Sequence, residues 1–179
     1  MKHVVAALLL SCPLWAQAAE PSHQFEVQGE FARIQELRGE SPDEELAFQG
    51  YIGYQYLLNE NFALGIDYLA GGGMDFDLLL GIDDGSFNYS AWELTARGTT
   101  WVSQRNALYA TLRAIQYDYD VETSEGRRLW DDSGLGGGMT LGWRYQFDMG
   151  LGLGVSASYR KLGSDTELVS FGYNLSYRF

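Results

Sequence analysis

Val169-Ser170-Phe171-Gly172-Tyr173-Asn174-Leu175-Ser176-Tyr177-Arg178-Phe179 closes the sequence with a strict two-residue alternation. Val169, Phe171, Tyr173, Leu175, Tyr177 and Phe179 fall on one side; Ser170, Gly172, Asn174, Ser176 and Arg178 fall on the other. Successive side chains of a β-strand point to opposite faces, so this stretch reads as a strand with one apolar and one polar face. Its length suits a tilted bilayer-crossing strand, which needs about 9–11 residues.

Upstream the same period predicts seven more strands: near 151–160, 135–147, 107–120, 87–102, from 62 onward, 46–57 and 24–36. Their polar phases carry charges: Glu26 and Glu30 in the first, Asp67 in the third, Glu93 and Arg97 in the fourth, Arg113 in the fifth, Arg144 in the sixth and Arg160 in the seventh, with Glu30, Asp67, Glu93, Arg97 and Arg113 at mid-strand. Two irregularities stand out. After Ala114 the apolar phase passes to Ile115, Tyr117 and Tyr119, which predicts a β-bulge. Arg33 falls on an apolar phase, which places it near a rim.

Connections alternate in length. Tight turns are expected at 58–61, 103–106 and 148–150, and longer polar loops at 38–45, about 70–86, about 121–133 and 161–167. Short turns at one rim and long loops at the other are the pattern of an outer-membrane barrel, with the turns in the periplasm. The expected fold is therefore all-β: an eight-stranded antiparallel transmembrane β-barrel with up-and-down meander topology.

A soluble eight-stranded barrel of the lipocalin kind would show the same period with the faces exchanged, apolar inside and polar outside. Isolated mid-strand charges favour a closed polar interior in which opposite charges pair. Aromatics near strand ends (Trp92, Trp101, Trp143, Tyr145, Phe147, Tyr177, Phe179) favour interfacial girdles.

The beginning of the sequence fits export. Lys2 and His3 precede the apolar run Val4–Leu10, and Ala16-Gln17-Ala18 offers small residues for signal peptidase. The expected division is a cleaved signal peptide over 1–18 and a barrel domain over 19–179. Cys12, the one cysteine, lies in the leader, so the mature chain can form no disulfide. The 179 residues hold 24 acidic and 12 basic groups, a formal charge of −12. Loss of Lys2 with the leader makes it −13. Such a surface excludes nucleic acid as a partner.

Phe171-Gly-Tyr-Asn-Leu-Ser-Tyr-Arg-Phe179 resembles the C-terminal signature of bacterial outer-membrane barrels. The small barrels of the OmpA, OmpX and OmpW type are similar in size, leader and closing strand. The resemblance implies a Gram-negative outer-membrane location amid lipid and lipopolysaccharide. It also implies an assembly signal on Phe171, Tyr173, Leu175, Tyr177 and Phe179, recognised by the barrel-assembly machinery.

Glu30, Asp67, Glu93, Arg97, Arg113, Arg144 and Arg160 are expected to form a charge network across the lumen, because an unpaired charge in a narrow interior is costly. The alternative is a selectivity lining for a narrow pore or an OmpW-like conduit for small solutes. Glycines on the inward phase of the sixth and seventh strands (Gly136, Gly138, Gly142, Gly152, Gly154) are expected to admit bulky neighbours such as Tyr51 and Tyr109. The long loops hold most of the acid: Glu40, Asp43, Glu44 and Glu45; Asp75, Asp77, Asp83 and Asp84; Glu122, Glu125, Asp131 and Asp132; Asp165 and Glu167. They read as solvated surface, with no complete cation-binding motif, so neither metal nor cofactor is assigned. No catalytic residue is assigned. The small barrel enzymes resemble one another in using a histidine base, and the mature chain has only His23, beside Ser22 at its start, without a triad pattern.

Overall fold

The computed structural model describes residues 22–36, 44–73, 86–122, 128–163 and 166–179. The alternating stretches form eight strands: β1 (Ser22–Glu36), β2 (Glu44–Leu57), β3 (Phe62–Gly73), β4 (Ser86–Trp101), β5 (Asn106–Glu122), β6 (Arg128–Gln146), β7 (Leu151–Leu162) and β8 (Thr166–Arg178). Each pairs antiparallel with its sequence neighbours, and β8 pairs with β1 to close the barrel. Closure leaves no sheet edge, which in lipid would expose unsatisfied backbone groups. The expected signal peptide lies outside the described residues, as do Glu40, Asp43, Asp75, Asp77, Asp83, Asp84, Glu125 and Asp165.

The apolar phase faces outward. Ile52, Leu94, Leu112 and Phe171 are more than 60% exposed on the barrel exterior, which as a solvent-facing surface would be untenable and as a lipid-facing one is required. Aromatic pairs ring it: Phe31 with Phe48 and Tyr68 with Trp92 toward the loop end, Phe25 with Tyr54 and Tyr145 with Phe147 toward the turn end.

Two expectations need correction. No bulge follows Ala114, for the β4–β5 and β5–β6 registers run unbroken through Ile115 and shift only at Val121/Glu122. Ile115 and Tyr117 instead point into the barrel and are buried, while Gln116 and Asp118 point out. The polarity of the wall has inverted, and the strand has not slipped. The sixth strand also begins at Arg128 rather than 135, paired with the upper part of β5. Gly134–Gly138 therefore lies inside a strand, because a closed ladder can hold glycine backbone as well as any other.

The inversion runs around the barrel. Toward the loop end Ala32, Ala47, Leu69, Tyr89, Ala91, Ile115, Tyr117, Leu162 and Leu168 close the interior with an apolar cluster. On the outside at similar height stand exposed Arg33, Gln116 and Asp118 and the Lys161–Glu167 ion pair at 3.1 Å. Lower down, polar side chains fill the interior and apolar ones cover the exterior. The lower exterior is apolar, and the upper exterior mixes its polar groups with exposed Leu46, Leu135 and Val169, which lie opposite Arg33 or Gln116.

Candidate functional site in the barrel lumen

Beneath the apolar cluster, five strands deliver charges to one level. Arg113 on β5 donates from Nη1 to Asp67 Oδ2 at 2.8 Å and also to Glu93 Oε2. Arg160 on β7 donates from Nε to Glu93 Oε1 at 2.9 Å and from Nη1 to Glu30 Oε2 at 2.8 Å. The result is a continuous chain across the lumen, Asp67–Arg113–Glu93–Arg160–Glu30, in which Glu93 bridges two guanidiniums. All five side chains are at most 5% exposed, so water cannot take over any of these bonds without an opening of the wall.

Neutral donors complete the set. Ser158 and Ser170 each place a hydroxyl 2.9 Å from Glu30, and the amides of Gln28 and Gln49 donate to the same carboxylate. Thr140 accepts from Arg113 Nε at 3.0 Å, and the Tyr51 ring lies 5.1 Å below that guanidinium. A carboxylate that meets several donors is the arrangement that makes a buried ion pair tolerable.

A second, lower pairing is separate. Arg97 on β4 grips Glu26 on β1 with both terminal nitrogens, at 2.6 and 3.0 Å, and stacks 4.5 Å over Tyr109. Sequence reasoning placed Glu26 on the inward phase but outside the network, although its alternation with Glu30 carried the signal. Arg144 was expected among the paired charges. It is buried and inward, yet its one hydrogen bond goes to the Gln24 amide oxygen at 2.9 Å, and no described carboxylate reaches it.

The glycines make room for these side chains. A methyl at Gly142 would overlap the Tyr109 ring, and one at Gly138 would press on the Tyr159 carbonyl at 2.7 Å and on Arg160 Cγ at 3.1 Å. Tyr51 needs no such notch; it packs beside Glu26, Gln28 and Arg113. Phe171, Tyr173, Leu175, Tyr177 and Phe179 line the exterior of β8, each at least 47% exposed. His23 stands at the turn end, its Nδ1 2.6 Å from the Tyr54 hydroxyl. Among the described residues no cluster of three or more metal-ligating side chains occurs.

The model of the family described as outer membrane protein beta-barrel domain matches residues 4–179. No curated protein matches at the level of sequence. Among solved structures, Neisserial surface protein A is similar, at 13% identity and a TM-score of 0.73, over 88% of this chain and 97% of that one. Ail, the attachment invasion locus protein of Yersinia pestis, is similar at 18% identity and a TM-score of 0.63, over 90% of this chain and all of that one. The outer membrane protein OprG from Pseudomonas aeruginosa follows at 12% identity and a TM-score of 0.56, over 89% and 97%. At these identities the likeness concerns the fold.

Proposed function

Because the chain belongs to the outer membrane protein beta-barrel family and is integral to the bacterial outer membrane, we propose that it serves there as a structural and surface-interaction protein, neither an enzyme nor a channel. The observation that carries this reading is the Asp67–Arg113–Glu93–Arg160–Glu30 chain, which ties five strands together across the lumen. An ion entering that level would have to separate a buried pair, at about 3–5 kcal/mol for each pair broken. The apolar cluster above it supplies a second barrier, since a constriction without polar groups repels hydrated ions.

The middle of the lumen thus serves as the core of the protein, and the exterior is the main surface on which it meets other macromolecules. In this reading the acidic loops face outward and the turns face the periplasm. The upper wall touches lipopolysaccharide through exposed groups such as Arg33 and Lys161. During biogenesis the assembly machinery takes hold of Phe171, Tyr173, Leu175, Tyr177 and Phe179.

The test is electrical. Purified barrel in a planar bilayer should give no steady conductance. A stable, ion-selective current from the wild type would instead establish the competing reading, a narrow pore or an OmpW-like conduit for small solutes.

A further inference from the structure

The charges of the lumen are unevenly layered. At the middle level three carboxylates (Glu30, Asp67, Glu93) face two guanidiniums (Arg113, Arg160). At the turn end one buried carboxylate, Glu26, faces three guanidiniums, Arg97, Arg144 and Arg178, with the exposed Glu60 acting on Arg178 from the rim. Arg97 consumes Glu26 through its two-nitrogen grip. Arg144 and Arg178 are left without a direct ion pair among the described residues, Glu60 being the one further carboxylate near Arg178.

Their neighbourhood is unusually short of partners. Arg144 is 2% exposed, and its Nε makes no hydrogen bond. Arg178 Nε, Gln55 Nε2 and the Ser176 hydroxyl are likewise buried without a partner, as are two acceptors, Gln146 Oε1 and Asn174 Oδ1. Most of the unsatisfied buried side-chain atoms in the described residues thus gather at this mouth. Buried polar groups in a native protein nearly always find partners, so a cluster of orphans marks a place that water or a polar ligand fills.

Register brings them together. Arg178 lies opposite Gln24, the residue that Arg144 contacts, and Ser176 and Gln146 both lie opposite Gly152. A Cβ at Gly152 would meet the Ser176 hydroxyl, Arg144 Cδ at 3.0 Å and Gln146 Oε1 at 3.2 Å, so the three converge on one notch. The orientation of the Gln146 amide is set by its nitrogen, which donates to the Leu151 carbonyl at 3.0 Å and leaves the oxygen as the free acceptor.

We propose that Arg144, Arg178 and Ser176 form a receptor for a small tetrahedral oxyanion of the phosphate class, entered from the turn-end mouth of the lumen. Guanidinium forks match the oxygens of such an anion, and the hydroxyl adds a third donor. The free Gln146 oxygen adds selectivity: hydrogenphosphate carries a proton to offer it, whereas sulfate carries none near neutral pH. Specificity arises because the wrong anion leaves that acceptor both unpaired and opposed to negative charge. The site lies below the middle network and is independent of whether the barrel conducts.

The experiment is calorimetric titration of the folded barrel with sodium phosphate, in a phosphate-free sugar detergent with chloride as the only other anion. Wild type should bind one phosphate per barrel, saturably, and at least about tenfold more tightly than sulfate. Arg144→Gln and Arg178→Gln should each weaken binding about tenfold or more, the loss expected for one charged contact. The exposed Arg105→Gln should leave it unchanged. Heat-modifiable migration on a gel verifies folding; should Arg144→Gln fail to fold, the half-buried Arg178 variant decides. Repeating the titration in phosphatidylglycerol nanodiscs separates two sources of the same chemistry: unchanged affinity assigns a soluble anion, and competition assigns a lipid headgroup. Absence of saturable binding, equal affinity for sulfate, or undiminished binding by both folded Arg variants would overturn the proposal.

Discussion

The imidazole of His23 stacks on the ring of Phe179, with centroids 5.6 Å apart, while the two residues exchange a pair of backbone hydrogen bonds of 2.9 Å each. They are the turn-end rung of the β1–β8 seam, the joint that converts a sheet into a barrel. Phe25 and Tyr177 also pack against Phe179, at 5.7 and 6.2 Å.

Phe179→Ala keeps the backbone rung but loses the ring contacts, each worth about 0.5–1.5 kcal/mol. Urea unfolding in lipid vesicles should show a loss of about 1.5–4.5 kcal/mol for the three contacts together. Deletion of Phe179 removes the rung as well and should lower the yield of assembled barrel in the outer membrane. A deletion that assembles at wild-type yield would detach this residue from biogenesis.

Removal of Arg113 should be among the most damaging changes inside the lumen, because it leaves both Asp67 and Glu93 short of a cation in a fully buried site. Arg113→Ala is expected to cost about 3–5 kcal/mol and to induce flickering openings in planar bilayers. Glu93→Gln should cost more than Asp67→Asn, since Glu93 holds two guanidiniums and Asp67 one. Equal unfolding midpoints for those two variants would contradict the bridging role.

Gly142 tests how tightly the interior is filled. Gly142→Ala should destabilise the barrel by about 1–3 kcal/mol through overlap with Tyr109. Tyr109→Leu in the same chain should recover part of that loss, as removal of the clashing ring makes the two effects non-additive. Simple additivity in a double-mutant cycle would show that the strain lies elsewhere.

The inverted upper wall predicts an accessibility pattern. Cysteine in place of the outward-facing Asp118 should react with a membrane-impermeant maleimide on intact cells. Cysteine at Asn59 or Gln104, in the tight turns, should react only after the outer membrane is opened. Labelling in the opposite sense would turn the barrel upside down.

Strand number, pairing order and the inward phase were legible because a closed wall between two unlike media imposes a period of two on nearly every strand. Glu30, Asp67, Glu93, Arg113 and Arg160 could be placed on one side by parity alone. Which of them touch could not, because partners such as Glu30 and Arg160 lie 130 residues apart in the chain and meet only through strand register. Parity flagged Ile115 but could not say what its break meant. An apolar residue on the polar phase reads equally as a bulge or as a change of medium, and only the continuous register tells the two apart. Arg144 misled for a related reason: its phase predicts burial but carries no information on whether a carboxylate stands within reach.

The change of medium inside unbroken strands has a consequence for the membrane around the protein. A barrel whose strands ended at the headgroups could ride up or down as the bilayer thickened. Here, embedding the wall one alternation step deeper would carry Gln116 and Asp118 toward hydrocarbon, and a charge moved toward the bilayer midplane costs up to a few kcal/mol. Sliding the other way would wet Leu112 and Leu94, two of the most exposed apolar side chains of the exterior. Hydrophobic mismatch must therefore be absorbed by the lipid, which stretches or compresses to meet a boundary drawn on the protein.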